Sequence, residues 1–224
     1  MTVTFFKAVR PDGTSFHDPT FRWLPEDGVI PEEGWLVEHP TPAAQIGKSS
    51  GASASGYLSV STVATDCTGF RWPCRLLEVE PVGRACLDNK HPSKRRVRAA
   101  RVVRELDPHL TLGPQGEQVA ALIERAARLT LDEGHRVSAA RVTAGDSDAA
   151  WYAAWCADTT RCAAWEATRE AELVGVWAAV CDAALGLITR DLISTTHYDA
   201  LTLAWRQAIG RIHPDDAEAV KSDD

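Results

Sequence analysis

Two carboxylates set two residues apart are the sharpest chemical feature of this sequence. Glu78 and Glu80 end the run Cys74 to Glu80, which is the clearest predicted β-strand of the chain. Residues two apart on a strand share a face, so the two carboxylates should project together. Ser61 ends another predicted strand, and Arg10 follows the first one. Acids, a hydroxyl group and a permanent cation are residue types that acid–base chemistry on an anionic ligand uses.

An arginine, a serine/threonine strand and Glu-x-Glu, in that order, resemble the pattern of the mono-ADP-ribosyltransferases. The resemblance implies that Arg10 and Ser61 bind NAD and that Glu80, with Glu78 beside it, catalyses transfer at the ribose. Only fifteen residues separate Thr62 from Glu78, whereas that fold places further strands between the two motifs. An NAD-dependent transferase is therefore the alternative function.

Metal and phosphate motifs are not predicted. The spacing of Cys67, Cys74, Cys86 and His91 matches no standard zinc site. The six cysteines include no Cys-x-x-Cys pair, and we interpret them as reduced. The run Gly47-Lys48-Ser49 lacks the earlier glycine of a P-loop, because a proline stands five residues before it.

The elements that would position these groups fall into two halves. Short strand-like runs bounded by Gly and Pro come first, and Pro11-Asp12-Gly13 is a turn signal after the first of them. Helical patterns follow, one of them opened by the capping box Thr130-Leu-Asp-Glu133. Strands first and helices later predict an α+β protein with a small β-rich domain before an α-helical domain. The expected divisions are a β-rich domain over 1–106, a linker over 107–113, an α-helical domain over 114–213 and an acidic tail over 214–224.

The helical half is centred on an Ala/Trp-rich stretch, Ala149 to Leu187. With about 100° per residue its large apolar residues fall on one stripe: Trp151, Trp155, Cys162, Trp165, Leu173, Val176, Val180, Ala184 and Leu187. The stripe predicts a packing spine of two helices with a break near Asp158. Asp158 and Arg169 interrupt its apolar face, and we expect them either to pair across the break or to contact a partner.

A basic run accompanies the last predicted strand, Val97 to Leu106. It comprises Lys90, Lys94, Arg95, Arg96, Arg98, Arg101 and Arg104. One interpretation is a patch that contacts phosphates. The other is an edge strand that uses charge to prevent aggregation. The run contains no aromatic residue, so we favour the edge strand.

Charge and hydropathy narrow the class of partner. The net charge is −7; residues 1–105 carry 14 basic and 12 acidic groups, whereas residues 106–224 carry 10 and 19. The acidic half argues against nucleic-acid binding and favours a basic protein partner. The N-terminal residues do not have the pattern of a secretion signal, and the longest apolar run, Leu173 to Cys181, is too short to cross a bilayer. We therefore expect a cytoplasmic protein without a membrane partner.

Several segments also resemble a set of actinobacterial and phage proteins of unknown function. The similar segments are Lys7–Gly13, Gly56–Thr62, Arg75–Gly83, Val97–Leu106, Arg190–Asp199 and Gly210–Asp216. Relatives have Gly-Leu-His where this chain has Gly56-Tyr57-Leu58, so a role of that histidine is absent here. In those proteins a small strand domain precedes an Ala/Trp-rich helical tail, and some carry an immunity-protein label. Our leading hypothesis is a non-enzymatic binding or interaction protein.

Overall fold

The computed structural model describes residues 4–40, 56–68, 71–88, 91–143 and 174–216. These residues form a seven-stranded sheet in the N-terminal half and helices in the C-terminal half, so the predicted α+β class is confirmed. The chain divides into two compact units. The β-rich unit contains residues 1–68 and 73–111, and the helical unit contains residues 69–72 and 112–224.

The sheet of the β-rich unit is antiparallel. Its strands are β1 (Phe5–Val9), β2 (Trp35–Glu38), β3 (Leu58–Ser61), β4 (Arg75–Val82), β5 (Cys86–Leu87), β6 (Lys94–Val97) and β7 (Ala99–Leu106). Their spatial order is β2-β7-β4-β1-β3-β6-β5. The predicted turn after β1 is present, because the N–H of Gly13 donates to the carbonyl of Arg10 at 2.9 Å. Gly13 has a φ of +83°, which glycine adopts without strain.

One face of this sheet carries the core of the unit. On β4, Leu77 and Val79 are buried on that face, whereas Glu78 and Glu80 alternate onto the other. Further buried residues from the other strands and from the loop after β1 complete the core: Val9, Trp23, Leu24, Val37, Leu58, Val60, Val97, Ala100 and Val102. The large side chains of this core lie on one face because strand residues alternate in direction.

The predicted edge strand is wrong. Lys90 lies outside the described residues, and the rest of the basic run spans two strands, β6 and β7, which are separated at Arg98. Both lie inside the sheet, because β6 pairs with β3 and β5 while β7 pairs with β2 and β4. The edges of the described sheet are β2 and β5. Basic side chains of these two strands therefore do not protect an edge of the described sheet.

Four α-helices are described in the helical unit: α1 (Gly116–Ala126), α2 (Leu131–Thr143), α3 (Val174–Thr189) and α4 (Thr195–Ala208). Short 3₁₀ helices cover Arg190–Leu192 here and Ala64–Asp66 in the β-rich unit. A third, Pro108–Leu112, belongs to the β-rich unit except for its last residue. The capping box before α2 is confirmed. The N–H of Thr130 donates to the Glu133 carboxylate at 2.9 Å, and the N–H of Glu133 donates to the Thr130 hydroxyl at 3.2 Å.

The described end of the apolar stripe lies in the helical core, as predicted. Val176, Val180, Ala184 and Leu187 of α3 are all buried there. At Gly186 an added Cβ would come within 2.9 Å of the Thr202 methyl group, so the absence of a side chain lets α3 and α4 approach closely. The remaining large residues of the stripe lie outside the described residues, as do the predicted partner-binding residues: Trp151, Trp155, Cys162, Trp165, Leu173, Asp158 and Arg169.

Candidate functional site

The strand register fixes where the predicted site residues lie. Phe6 of β1 is opposite Ser61 of β3 on one side and opposite Glu78 of β4 on the other. Directly opposed residues of antiparallel strands point to the same face. Ser61 and Glu78 therefore share the face opposite the core, with the Phe6 position between them.

Arg10 lies far from the second carboxylate of the motif. Val9 is opposite Arg75, whereas Phe5 is opposite Val79, so Glu80 lies level with Thr4. Six residues therefore separate the levels of Glu80 and Arg10, or about 20 Å along a strand. The register brings Ser61 and Glu78 to one row but does not bring Arg10 to Glu80.

Two residues of the predicted site have structural partners. Glu78 forms a 2.6 Å ion pair with Arg104, which stands opposite it on β7. The Ser61 hydroxyl accepts a hydrogen bond from the N–H of Val63 at 3.2 Å and donates to the carbonyl of Ser93 at 3.5 Å. Ser61 is only 2% exposed. Its hydroxyl therefore closes the turn after β3.

A small recess opens beside Ser61, where β1 and β3 diverge after their single pair. It has a cavity volume of about 30 Å³, room for about two water molecules. Four strand residues and three residues from the connecting segments supply its polar lining: Lys7, Ser59, Ser61, Lys94, His17, Asp66 and Cys67. The recess thus gathers groups that are far apart in sequence.

Lys7 is the central group of this recess. Its ammonium donates to the carbonyl of Ser59 at 3.2 Å and lies 4.9 Å from the centre of the Trp23 ring. Both contacts favour a cation, since the ring face is negative. Burial nevertheless lowers the pKa of Lys7 to about 8, with a smaller lowering from the charge of Lys94. A sizeable fraction of Lys7 is thus neutral slightly above neutral pH.

Two further polar groups in the recess are the thiol of Cys67 and the carboxylate of Asp66. Burial raises the pKa of the Cys67 thiol to about 12, so this cysteine is neutral at ordinary pH. The Asp66 carboxylate accepts a hydrogen bond from the Ser93 hydroxyl. The recess therefore has two ammonium groups, and its carboxylate is already hydrogen-bonded.

Comparison with known proteins assigns no family and no structural relative to this chain. Family models, curated proteins and solved structures were compared with the chain, and none of them matches. The similarity to actinobacterial and phage proteins therefore stays a prediction, and the function has to be argued from the site alone.

The basic run contributes to the structure of the β-rich unit through backbone contacts. Several of its guanidinium groups donate to carbonyls of neighbouring segments: Arg95 to Pro92, Arg96 to Leu87, Arg98 to Gly56 and Arg101 to Glu33. Arg104 pairs with Glu78 instead. These contacts give the arginines of the run a role in holding loops, which neither sequence interpretation included.

The β2 edge is the second candidate region. The N–H of His39 donates to the carbonyl of Arg98 at 2.9 Å, and Glu38 stands opposite Ala99. In an antiparallel ladder this pattern directs the N–H and C=O of residues 35, 37 and 39 towards β7. Leu36 and Glu38 therefore direct theirs away from the sheet, where no described strand pairs with them.

The side chains of this edge are apolar and acidic. Leu36 is 44% exposed and Trp35 is 37% exposed. Glu38 and, just before the strand, Glu32 and Glu33 are also exposed. The turn into β2 requires Gly34, whose φ is +83°, because an added Cβ would lie 2.8 Å from the carbonyl oxygen of Val102. An acidic, partly apolar strand thus lies at an edge of the sheet where no other described strand pairs with it.

Sequence reasoning missed Lys7, His17 and Asp66 as members of a site, and it did not bring Ser59, Ser61, Cys67 and Lys94 together. Lys7 carried a signal, because it alternates with Phe5 and Val9 and so faces the apolar side of β1. A cation at such a position needs partners, which the structure supplies through Ser59 and Trp23.

The described part of the chain contains neither a metal-site cluster nor a membrane-spanning helix. No cluster of three or more His, Cys, Asp or Glu side chains there has the arrangement of a metal site. None of the helices in that part is long and apolar enough to cross a membrane.

Proposed function

We propose that this protein is a non-enzymatic binding protein that pairs an extended, basic segment of a protein partner with the outer side of β2. The open β2 edge is the observation that carries the proposal. Leu36 and Glu38 present backbone groups in the spacing that an added strand would use. Strand addition of this kind obtains affinity from main-chain hydrogen bonds and specificity from alternate side chains.

The two edge strands of the described sheet differ in how much backbone they offer for pairing with a partner strand. β5 consists of two residues, Cys86 and Leu87, and therefore offers little backbone for pairing. β2 has four residues, two of them exposed apolar residues. Natural proteins usually shorten or charge such an edge to prevent pairing. A four-residue edge with Trp35 and Leu36 is better suited to a partner strand.

The acidic residues around β2 determine which kind of partner strand can pair with it. Glu32, Glu33 and Glu38 are exposed at and beside β2. Opposite charges on neighbouring strands stabilise a pair, and like charges directly opposite destabilise it. A segment with basic residues at alternate positions would meet these carboxylates, and an acidic segment would be repelled.

The NAD-dependent alternative has less support. Arg10 and Glu80 lie at levels of the sheet separated by six residues, and Glu78 is paired with Arg104. A transferase needs its NAD-binding and catalytic groups around one ligand. The binding role is therefore the function that the geometry favours.

A synthetic octapeptide of alternating Val and Lys tests the proposal in solution. Amide chemical shifts of the full-length protein are followed during titration with this peptide, and an alternating Val and Glu peptide serves as the acidic control. We expect saturable shifts centred on Leu36 and Glu38 with the basic peptide alone. Raising the salt concentration should weaken this binding severalfold, because exposed charges are screened at about 10 Å in 0.1 M salt.

Matched variants locate the binding. Leu36→Lys places a charge on the β2 edge and should weaken binding at least tenfold, whereas Leu87→Lys makes the same change on the exposed β5 edge and should leave it unchanged. Absence of saturable binding by the unmodified protein would contradict the proposal. Equal effects of the two substitutions, or equal binding of both peptides, would also contradict it.

A further inference from the structure

The recess between β1 and β3 has an imbalance of charge. Lys7 and Lys94 both line it, and neither has an ion-pair partner among the described residues. Asp66, the carboxylate of the lining, accepts a hydrogen bond from Ser93. With two ammonium groups and one carboxylate, the lining has one positive charge in excess, which a bound anion would balance.

Donors for such an anion are already in place. An ammonium has three N–H donors, and the hydrogen bond of Lys7 to the Ser59 carbonyl uses one of them. Lys94 stands opposite Ser61 in the register, so both side chains leave the sheet on the same face. Cation donors on two sides of a small cavity are the arrangement that binds a carboxylate or phosphate oxygen.

We propose that this recess binds the oxyanion end of a small ligand between the ammonium groups of Lys7 and Lys94. The cavity of about 30 Å³ admits only the terminal group, so the rest of the ligand would extend into solvent. The site is on different strands from the β2 edge, so either can exist without the other.

Binding at this site should be coupled to proton uptake. The pKa of Lys7 is about 8 in the free protein because burial disfavours its charged form. An anion beside the ammonium favours that form and raises the pKa, so the protein takes up a proton when it binds near pH 8. The other titratable groups that face Lys7 are His17, Asp66, Cys67 and Lys94. Affinity should therefore fall as the pH rises through about 8.

Titration of the full-length protein with sodium acetate and with sodium phosphate tests the inference. Sodium chloride at the same ionic strength is the control for screening. We expect saturable amide shifts at Ser61, Lys94 and Cys67 and a rise of about one unit in the pKa of Lys7. Saturation by acetate alone identifies a carboxylate site, and saturation by phosphate alone identifies a phosphate site. Equal shifts with chloride, or no saturation by either oxyanion, would overturn the inference.

Two variants with the same change in charge separate the recess from the rest of the face. Lys94→Gln removes one of the two ammonium groups and should weaken oxyanion binding at least tenfold. Arg104→Gln removes a cation paired with Glu78 elsewhere on the sheet and should change binding less than twofold. Unchanged binding by folded Lys94→Gln would overturn the inference, and so would equal losses in both variants. Neither variant changes β2, so the peptide titration remains a separate test.

Discussion

Arginine side chains have different partners in the two units of this protein. In the β-rich unit many of them donate to backbone carbonyls, mostly of loops and turns: Arg22, Arg75, Arg95, Arg96, Arg98 and Arg101. Arg75 also pairs with Glu105, and Arg104 pairs with Glu78. In the helical unit their described partners are mainly carboxylates, in the pairs Arg125–Glu133, Arg128–Glu124, Arg190–Asp215 and Arg206–Asp199. The same residue type thus serves two structural purposes.

The difference follows from how each unit provides hydrogen-bond partners for its backbone carbonyls. Helices bond their own carbonyls internally, so arginines on them remain available for acids. Loops between strands have carbonyls outside the ladders, and a buried unpaired carbonyl costs free energy. A carbonyl does not titrate, whereas a carboxylate loses its charge in acid. The arginine–carboxylate contacts of the helical unit should therefore depend on pH, whereas the arginine–carbonyl contacts of the β-rich unit should not.

The largest expected effect is at Asp216, which anchors the end of the described helical unit. Its carboxylate accepts hydrogen bonds from the Tyr198 hydroxyl at 2.8 Å and from the N–H groups of Ile212 and His213 at 3.1 and 3.0 Å. Asp216→Ala leaves these donors without their acceptor. We expect a loss of about 3 kcal/mol in the free energy of unfolding, measured by chemical denaturation at pH 7.

The adjacent carboxylate provides the matched control. Asp215 pairs with Arg190 at 3.1 Å, but its side chain is 70% exposed. Asp215→Ala should therefore cost less than about 1 kcal/mol, as surface pairs do. Equal losses from the two substitutions would show that burial does not decide the strength of these contacts.

A smaller effect is expected at Arg101, which represents the arginine–carbonyl contacts of the β-rich unit. Its guanidinium donates to the carbonyl of Glu33 at 3.0 Å. Arg101→Ala should lower the free energy of unfolding by about 1 kcal/mol. Because the acceptor does not titrate, the loss should be the same at pH 7 and at pH 3. A loss that disappears at pH 3 would contradict the contrast between the two units.

Local signals in the sequence predicted much of the fold. The Pro11-Asp12-Gly13 turn and the Thr130 capping box are present because each depends on residues close in sequence. The α+β class followed from the order of strands and helices. Val176 and Leu187 are buried as the helical period predicted.

Features that depend on strand order could not be predicted in the same way. The basic run is not at an edge, because β7 is enclosed between β2 and β4, which come from distant segments. The separation of Arg10 from Glu80 likewise follows from the register of β1 against β4. Asp216, in the predicted acidic tail, is instead 7% exposed because Tyr198 and the preceding backbone surround it. Pairing between remote strands leaves no local signal in one sequence.

The smallest effect is expected at Glu133, a half-buried residue of the helical unit whose contribution to stability should depend on pH. The side-chain hydrogen bond from Arg125, at 2.5 Å, is the main reason that the pKa of Glu133 falls to about 2. The N–H of Thr130 contributes to the same lowering. A folded-state pKa below the ordinary value of 4.5 means that the stabilisation is present above about pH 4.5 and is lost as the pH falls towards 2.

Glu133→Gln isolates that charge, because glutamine retains the reciprocal hydrogen bond of a capping box. The thermal unfolding midpoint of the variant should be slightly lower than that of the unmodified protein at pH 6, and the difference should shrink as the pH approaches 2. Glu117→Gln is the control, since Glu117 is an exposed acid at the start of α1 without a described arginine partner. A difference at Glu133 that stays constant from pH 6 to pH 2 would mean that the Arg125 contact acts without its charge. The helical unit would then resemble the β-rich unit in its response to acid.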